Sequence, residues 1–150
     1  MSKKDKWLAF TLGLLVFVTS FAFDFDYANI ASEGLTLSSI VLAVYVAAMM
    51  GLIGSKLGEK LANTPASGGE YTQLWILRAY FKNALFFAVA TIVLSSLALL
   101  TPLIDPDTAN KAGILINRGA SAFSLAVYAV NLFFMGATLK FMLNRQIWNT

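Results

Sequence analysis

Four apolar runs dominate the chain, at about 7–23, 35–54, 83–103 and 120–143, and no Asp, Glu or His lies inside any of them. At a helical rise of 1.5 Å per residue, runs of this length come close to or exceed the span of a hydrocarbon layer about 30 Å thick. Backbone N–H and C=O groups in lipid must be satisfied within the structure that crosses it, and a helix does this by itself. Four such runs in 150 residues leave few folds open. The expected fold is an all-α integral membrane protein, with four transmembrane helices forming one domain over residues 1–150. The charge content agrees: 13% of residues are charged, against about 25% in soluble domains. The lysine-rich start before the first run also suits a signal peptide. That run ends in Phe21-Ala22-Phe23-Asp24 without a small-residue cleavage site, so it reads as a retained span.

One motif recurs between the runs. Asp24-Phe25-Asp26-Tyr27-Ala28-Asn29-Ile30-Ala31 is matched by Asp105-Pro106-Asp107-Thr108-Ala109-Asn110-Lys111-Ala112, with both Asp, both Ala and the Asn in common. Leu42-Ala43-Val44-Tyr45 and Leu125-Ala126-Val127-Tyr128 then follow at nearly the same offset. The simplest account is two tandem helical-hairpin repeats: repeat 1 at about 7–54, a linker at 55–70 rich in turn-forming residues, and repeat 2 at about 71–143. Lys3, Lys4, Lys6, Lys56, Lys60, Arg78, Lys82, Lys140 and Arg145 fall on one side of such an arrangement, and only Lys111 and Arg118 on the other. The positive-inside rule then places both termini and the linker in the cytoplasm, in a prokaryotic cell (inner) membrane, with both acidic loops outside. Repeats of like orientation are related by a pseudo-two-fold along the membrane normal. Tyr71 to Lys82 reads as a short interfacial helix continuous with the third span, presenting Trp75, Arg78, Tyr80 and Lys82 at the cytoplasmic surface.

Three sets of residues are candidates for function. The first comprises Asp24, Asp26, Asp105 and Asp107, with Asn29 and Asn110. Grouped at one depth, these carboxylates can attract cations to a pore mouth or hold a hard cation through oxygen ligands. The simpler reading is helix capping, with Asp105 before Pro106 as an N-cap and Asp24 or Asp26 in the same role. An EF-hand is excluded, because the loop lacks its glycine and terminal glutamate. The second set is Ala43, Ala47, Gly51 and Gly54, small residues spaced to let helix backbones approach, within the chain or between chains. The third is the intramembrane polar group Tyr45, Ser124, Tyr128 and Asn131, which serves either as an interhelical hydrogen-bond knot or as a pore-lining stripe.

The absences narrow the function classes. The chain has no Cys and no His, which excludes disulfides, thiolate or imidazole metal sites and Ser-His or Cys-His catalysis. With no carboxylate inside a span, intramembrane proton relay and aspartyl proteolysis lack their groups. No metal site, cofactor or nucleic-acid partner is expected. Three short apolar pieces, Leu37-Ser38-Ser39, Leu52-Ile53-Gly54-Ser55 and Ala84-Leu85-Phe86-Phe87, resemble parts of four-span phage-exclusion membrane proteins; pieces of that length and composition assign no family. The preferred expectation is a non-enzymatic membrane protein that works by helix association, as a homo-oligomer or as the membrane subunit of a larger complex. Its partners are then the lipid bilayer and itself or another membrane or cytoplasmic protein. The alternative is an oligomeric ion-conducting channel with an acidic outer vestibule. An enzyme or lipid-handling protein using the outer carboxylates is the third possibility.

Overall fold

The structure is a computed structural model that describes residues 3–66, 71–100 and 111–147. Five helices make up nearly all of it: α1 Lys3–Phe23, α2 Ala31–Leu52, α3 Lys56–Asn63, α4 Gln73–Leu100 and α5 Lys111–Ile147. A single 3-10 turn, Tyr27–Ile30, leads into α2. Helices α1, α2, α4 and α5 contain the four segments long and apolar enough to cross a membrane. They bury little of themselves against one another. Trp7, Phe10, Leu15, Met50, Phe86 and Leu100 are all more than 60% exposed, an outer surface that lipid, rather than water, would solvate.

The order of packing across the bundle is α1, α5, α4, α2, with α1 lying on α5, α5 on α4, and α4 on α2. The expected first hairpin does not pack as one: α1 and α2 make no extended contact and sit at opposite edges of the second pair. The sequence explains why α1 joins α5. Ala9, Gly13 and Ser20 form a small edge on α1, Ala9 and Ser20 are buried, and a Cβ at Gly13 would lie 3.0 Å from Val130 Cγ2. On α4, Ala84, Ala88, Thr91 and Ser95 follow a four-three-four spacing and are fully buried. That spacing draws one straight seam along the helix, facing its neighbours. Large side chains close the bundle toward the end that carries α3, where Leu77, Phe81 and Phe134 are buried and Phe87 stacks on Phe134 at 5.3 Å.

The stretch expected as a plain linker carries α3. Its start is defined by a tight turn after α2. Ile53 is extended at φ −69, ψ 120, Gly54 has φ +76, and Ser55 N–H donates to Leu52 O at 3.3 Å. These are the features of a type II turn, whose third residue needs the left-handed region that Gly tolerates. Ser55 then caps α3, accepting from Gly58 N–H at 3.0 Å. After α3 the chain pinches closed. Ala66 N–H donates to Tyr71 O at 2.8 Å and Gln73 N–H to Thr64 O at 3.0 Å, so α3 and α4 are joined by a short antiparallel bridge. The segment expected at the membrane interface, from Gln73 on, and the third apolar run, as far as Leu100, form one unbroken helix, α4, about 42 Å long.

Gly58 sets how closely α3 sits on the end of α2, because a Cβ there would fall 2.1 Å from Leu52 O. A backbone atom cannot swing aside as a side chain can. Gly58→Ala is expected to lift α3 from α2 and cost about 1–3 kcal/mol, the usual range for overpacking. Hydrogen exchange across residues 55–63 reads this directly. Unchanged protection and an unchanged melting temperature would show that α3 is not docked in this way.

Candidate functional site

The first acidic loop closes one end of the bundle, and each of its carboxylates has a protein partner. Asp24 stops α1. It occupies the left-handed region at φ +56, and Phe25 N–H reaches back to Ser20 O at 3.1 Å. This six-to-one bond is that of a Schellman terminus, with Asp24 where Gly or Asn is usual. Its carboxylate pairs with Arg118 Nη2 of α5 at 2.5 Å. Asp26 is the N-cap of the 3-10 turn, accepting from Ala28 N–H at 3.0 Å, and also accepts from Ser121 Oγ at 3.1 Å. Ser121 Oγ in turn accepts from Tyr27 N–H at 3.1 Å.

Tyr27 is the centre of this end. It is 1% exposed, its hydroxyl shares a 2.6 Å hydrogen bond with Ser95 Oγ of α4, and its ring lies 6.4 Å from that of Tyr128. Gly34, one turn into α2, makes room for it, since a Cβ there would lie 2.7 Å from the Tyr27 hydroxyl and 3.2 Å from Ser95 Oγ. The loop thus ties α1, α2, α4 and α5 together. Asn29 is exposed beside it. Asp105, Asp107 and Asn110 lie outside the described residues.

The polar set Tyr45, Ser124, Tyr128 and Asn131 divides among separate contacts. Asn131 is fully buried, and its Nδ2 donates to Ser38 Oγ of α2 at 2.9 Å, while its Oδ1 has no hydrogen-bond partner among the described residues. Ser124 Oγ donates to Ala120 O of its own helix at 2.9 Å. Tyr128 is half-buried against Tyr27. Tyr45 and Tyr128, the matching residues of the two repeats, have different ring partners. Tyr45 packs edge-on to Phe81 of α4 with ring centres 5.3 Å apart. Its buried hydroxyl lies near Thr138 without a well-formed hydrogen bond, and Thr138 Oγ donates to Phe134 O at 2.7 Å. Tyr45, Ser124 and Asn131 are buried within the bundle, and Tyr128 is partly exposed. Ser38 escaped the sequence reading. A serine on an apolar helix carries no sign of its direction until its partner is known.

At the opposite end, Tyr80 is a tie rather than an interfacial group: it is 9% exposed and its hydroxyl donates to the Asp5 carboxylate of α1. Trp75 remains outside, stacked on Tyr71 at 4.1 Å, and Arg78 and Lys82 are exposed. The small-residue ridge faces outward. Ala43, Ala47 and Gly51 are exposed, and nothing lies within 4 Å of a Cβ placed at Gly51. Gly54 leaves the ridge altogether, since α2 ends at Leu52 and Gly54 serves the turn. Of the two readings of this ridge, the intrachain one is not met among the described residues, where nothing packs on it: α2 buries its other side, through Ser38, Tyr45 and Leu52, with Tyr45 on Phe81 of α4 and Ser38 on Asn131 of α5.

Ser95, Ser121, Ser124 and Thr138 each share a hydrogen bond with another group of the bundle. Among the described residues, no group of three or more acidic side chains is placed to hold a metal ion. Comparison with protein-family models, with curated proteins and with solved structures finds no match for the chain.

The Ser38–Asn131 contact makes a sharp test of the buried interior. Ser38→Ala leaves the buried amide with neither end paired, and is expected to cost about 0.6–1.7 kcal/mol, the range of interhelical hydrogen bonds in membranes. Adding Asn131→Leu removes the orphaned amide and should restore most of that loss. Unfolding in a mild detergent series measures both. A double variant no more stable than Ser38→Ala alone would mean the amide is satisfied elsewhere.

Proposed function

We propose that this chain is a non-enzymatic, four-span membrane protein that acts by lateral helix association, as a homo-oligomer or as the membrane subunit of a larger complex. The observation that carries this reading is the unused ridge on α2. Ala43, Ala47 and Gly51 repeat at every fourth residue, and all are exposed. Interfaces between spanning helices favour small residues at this spacing because the backbones come close enough for dispersion and weak polar contacts to act. A chain that needed the ridge for its own fold would bury it, and this one buries the opposite face of α2.

In this reading the lysine-rich end, with α3 and the start of α4, faces the cytoplasm, as the distribution of Lys and Arg expects. Exposed Trp75, Arg78 and Lys82 then lie at the cytoplasmic membrane surface, where a soluble partner has access. The two-repeat reading draws partial support from packing. A two-fold that exchanges α1 with α4 and α2 with α5 interconverts the α1–α5 and α2–α4 contacts. The α4–α5 contact has no extended counterpart between α1 and α2.

The channel reading draws less support. Asp24 is paired with Arg118 and Asp26 is held by capping and by Ser121, so neither is a free vestibule charge. Asn131 and Ser124 face inward.

Ala47→Leu together with Gly51→Leu tests the proposal. Nothing within the chain opposes a side chain at Gly51, and replacing an exposed helical Gly favours the helix by about 0.5–1 kcal/mol. The expected result is a fold of equal or greater thermal stability with loss of the native assembly, read as a lower mass in mild detergent. An unchanged mass and an unchanged set of co-purifying proteins would overturn it.

A further inference from the structure

Because α1 rests on α5 and not on α4, a groove is left between α1 and α4, floored by α5. Its volume is about 470 Å³ and its lining is almost wholly apolar. Lys6 and Asn83 stand at one end, Gly13 and Val130 form the flank where α1 meets α5, and Phe17 and Phe123 stand at the other end. Among the described residues its lining reaches no further than Phe17 on α1 and Phe123 on α5. From Lys6 to Phe17 the groove runs about 17 Å along α1. This is close to half of a hydrocarbon core about 30 Å thick. It therefore opens at the lysine-rich end and stops near mid-membrane.

We propose that this groove holds one acyl chain of an anionic phospholipid from the leaflet at the lysine-rich end, with the lipid phosphate at Lys6. The length separates this occupant from a helix of a second chain. A spanning helix needs a track through the full membrane, whereas this one ends after a single leaflet. The charge argument is independent of length. Lys6 is exposed and makes no ion pair among the described residues. Its acidic neighbour Asp5 accepts from the Tyr80 hydroxyl. Lys82 and Lys140 are exposed at the same end of the bundle, so with Lys6 the lysines there outnumber the Asp5 carboxylate and the net charge around the groove mouth is positive. A lysine stem lies along apolar surface while its ammonium reaches the headgroup layer. A phosphate with a net negative headgroup fits this mouth better than a zwitterionic one.

The test is native mass spectrometry of the full chain in mild detergent, titrated with equal amounts of phosphatidylglycerol and phosphatidylcholine bearing the same acyl chains. The wild type is expected to retain phosphatidylglycerol about fivefold better, the factor that one lysine contributes beside anionic lipid. Lys6→Gln, an exposed substitution that leaves the packing intact, should bring the two lipids near parity. Val127→Trp, which fills the groove from α5, should lower retention of both. Equal retention of the two lipids by the wild type would overturn the proposal, as would a preference that survives Lys6→Gln. So would a protein dimer, free of lipid, that Val127→Trp dissociates, because the groove would then be an interface between copies.

Discussion

The seam of small side chains on α4 is the contact on which the rest of the bundle depends. Ala84, Ala88, Thr91 and Ser95 are each fully buried, and both α2 and α5 pack on the helix that carries them. Were the four long helices solvated by lipid, they would gain nothing from hiding apolar surface, since lipid tails are as apolar as leucine. What holds them is the number of atoms that come into contact, together with the hydrogen bonds that proximity allows. A seam of Ala, Ser and Thr maximises both. Ser95 also receives Tyr27, which brings the loop between α1 and α2 onto the end of α4. Helix α1 does not pack on this seam: it is attached through α5, through the Asp5–Tyr80 hydrogen bond to α4 at one end and through the Asp24–Arg118 pair at the other. The latter is an exposed pair, the kind worth about 0–1 kcal/mol, so the small edge at Ala9, Gly13 and Ser20 carries most of that docking.

How much of this the sequence discloses follows from the solvent. Helix number and approximate position are legible, because 20 apolar residues without a carboxylate admit few alternatives. Which face of each helix points inward is not. A helix that is apolar all round lacks the amphipathic stripe that would mark its buried side. The ridge at Ala43, Ala47 and Gly51 and the seam at Ala84, Ala88, Thr91 and Ser95 look alike as sequence, yet one is exposed and the other buried. The difference lies in the opposing helix, which only the three-dimensional packing specifies. The same reasoning covers Ser38 and Tyr45, whose directions depend on Asn131 and Phe81.

The ends of the helices were more readable than their faces, but not completely. The Asp-rich motif marks a terminus by its chemistry, and Asp26 is indeed an N-cap. Asp24 takes the opposite role, ending α1 in the left-handed region, a position for which sequence statistics favour Gly or Asn. The pairing with Arg118 offers a reason for Asp instead, though Arg118 lies 94 residues away. Helix α3 was missed because Gly58 lies within it, and Gly lowers helix propensity by about 1 kcal/mol. Its role there is clearance from Leu52 O, a tertiary requirement that outweighs the local preference. Ser55 before Leu57 and Leu61 was the available signal, a cap followed by an apolar pair one turn apart.

The packing order also governs how the outer surfaces relate. With α1 and α2 at opposite edges of the α5–α4 pair, the small ridge belongs to one edge and the acyl-sized groove to the other. An occupant of the groove touches α1, α4 and α5 and has no contact with Ala43, Ala47 or Gly51. Association through α2 therefore leaves the groove open to lipid, and lipid in the groove leaves the ridge bare. Had α1 packed against α2 as a closed hairpin, this separation would not exist, because the ridge and the first span would compete for the same side of the molecule. The failure of the first hairpin to close is thus what gives the chain two independent surfaces. Its physical origin is the preference of the Ala9–Gly13–Ser20 edge for α5.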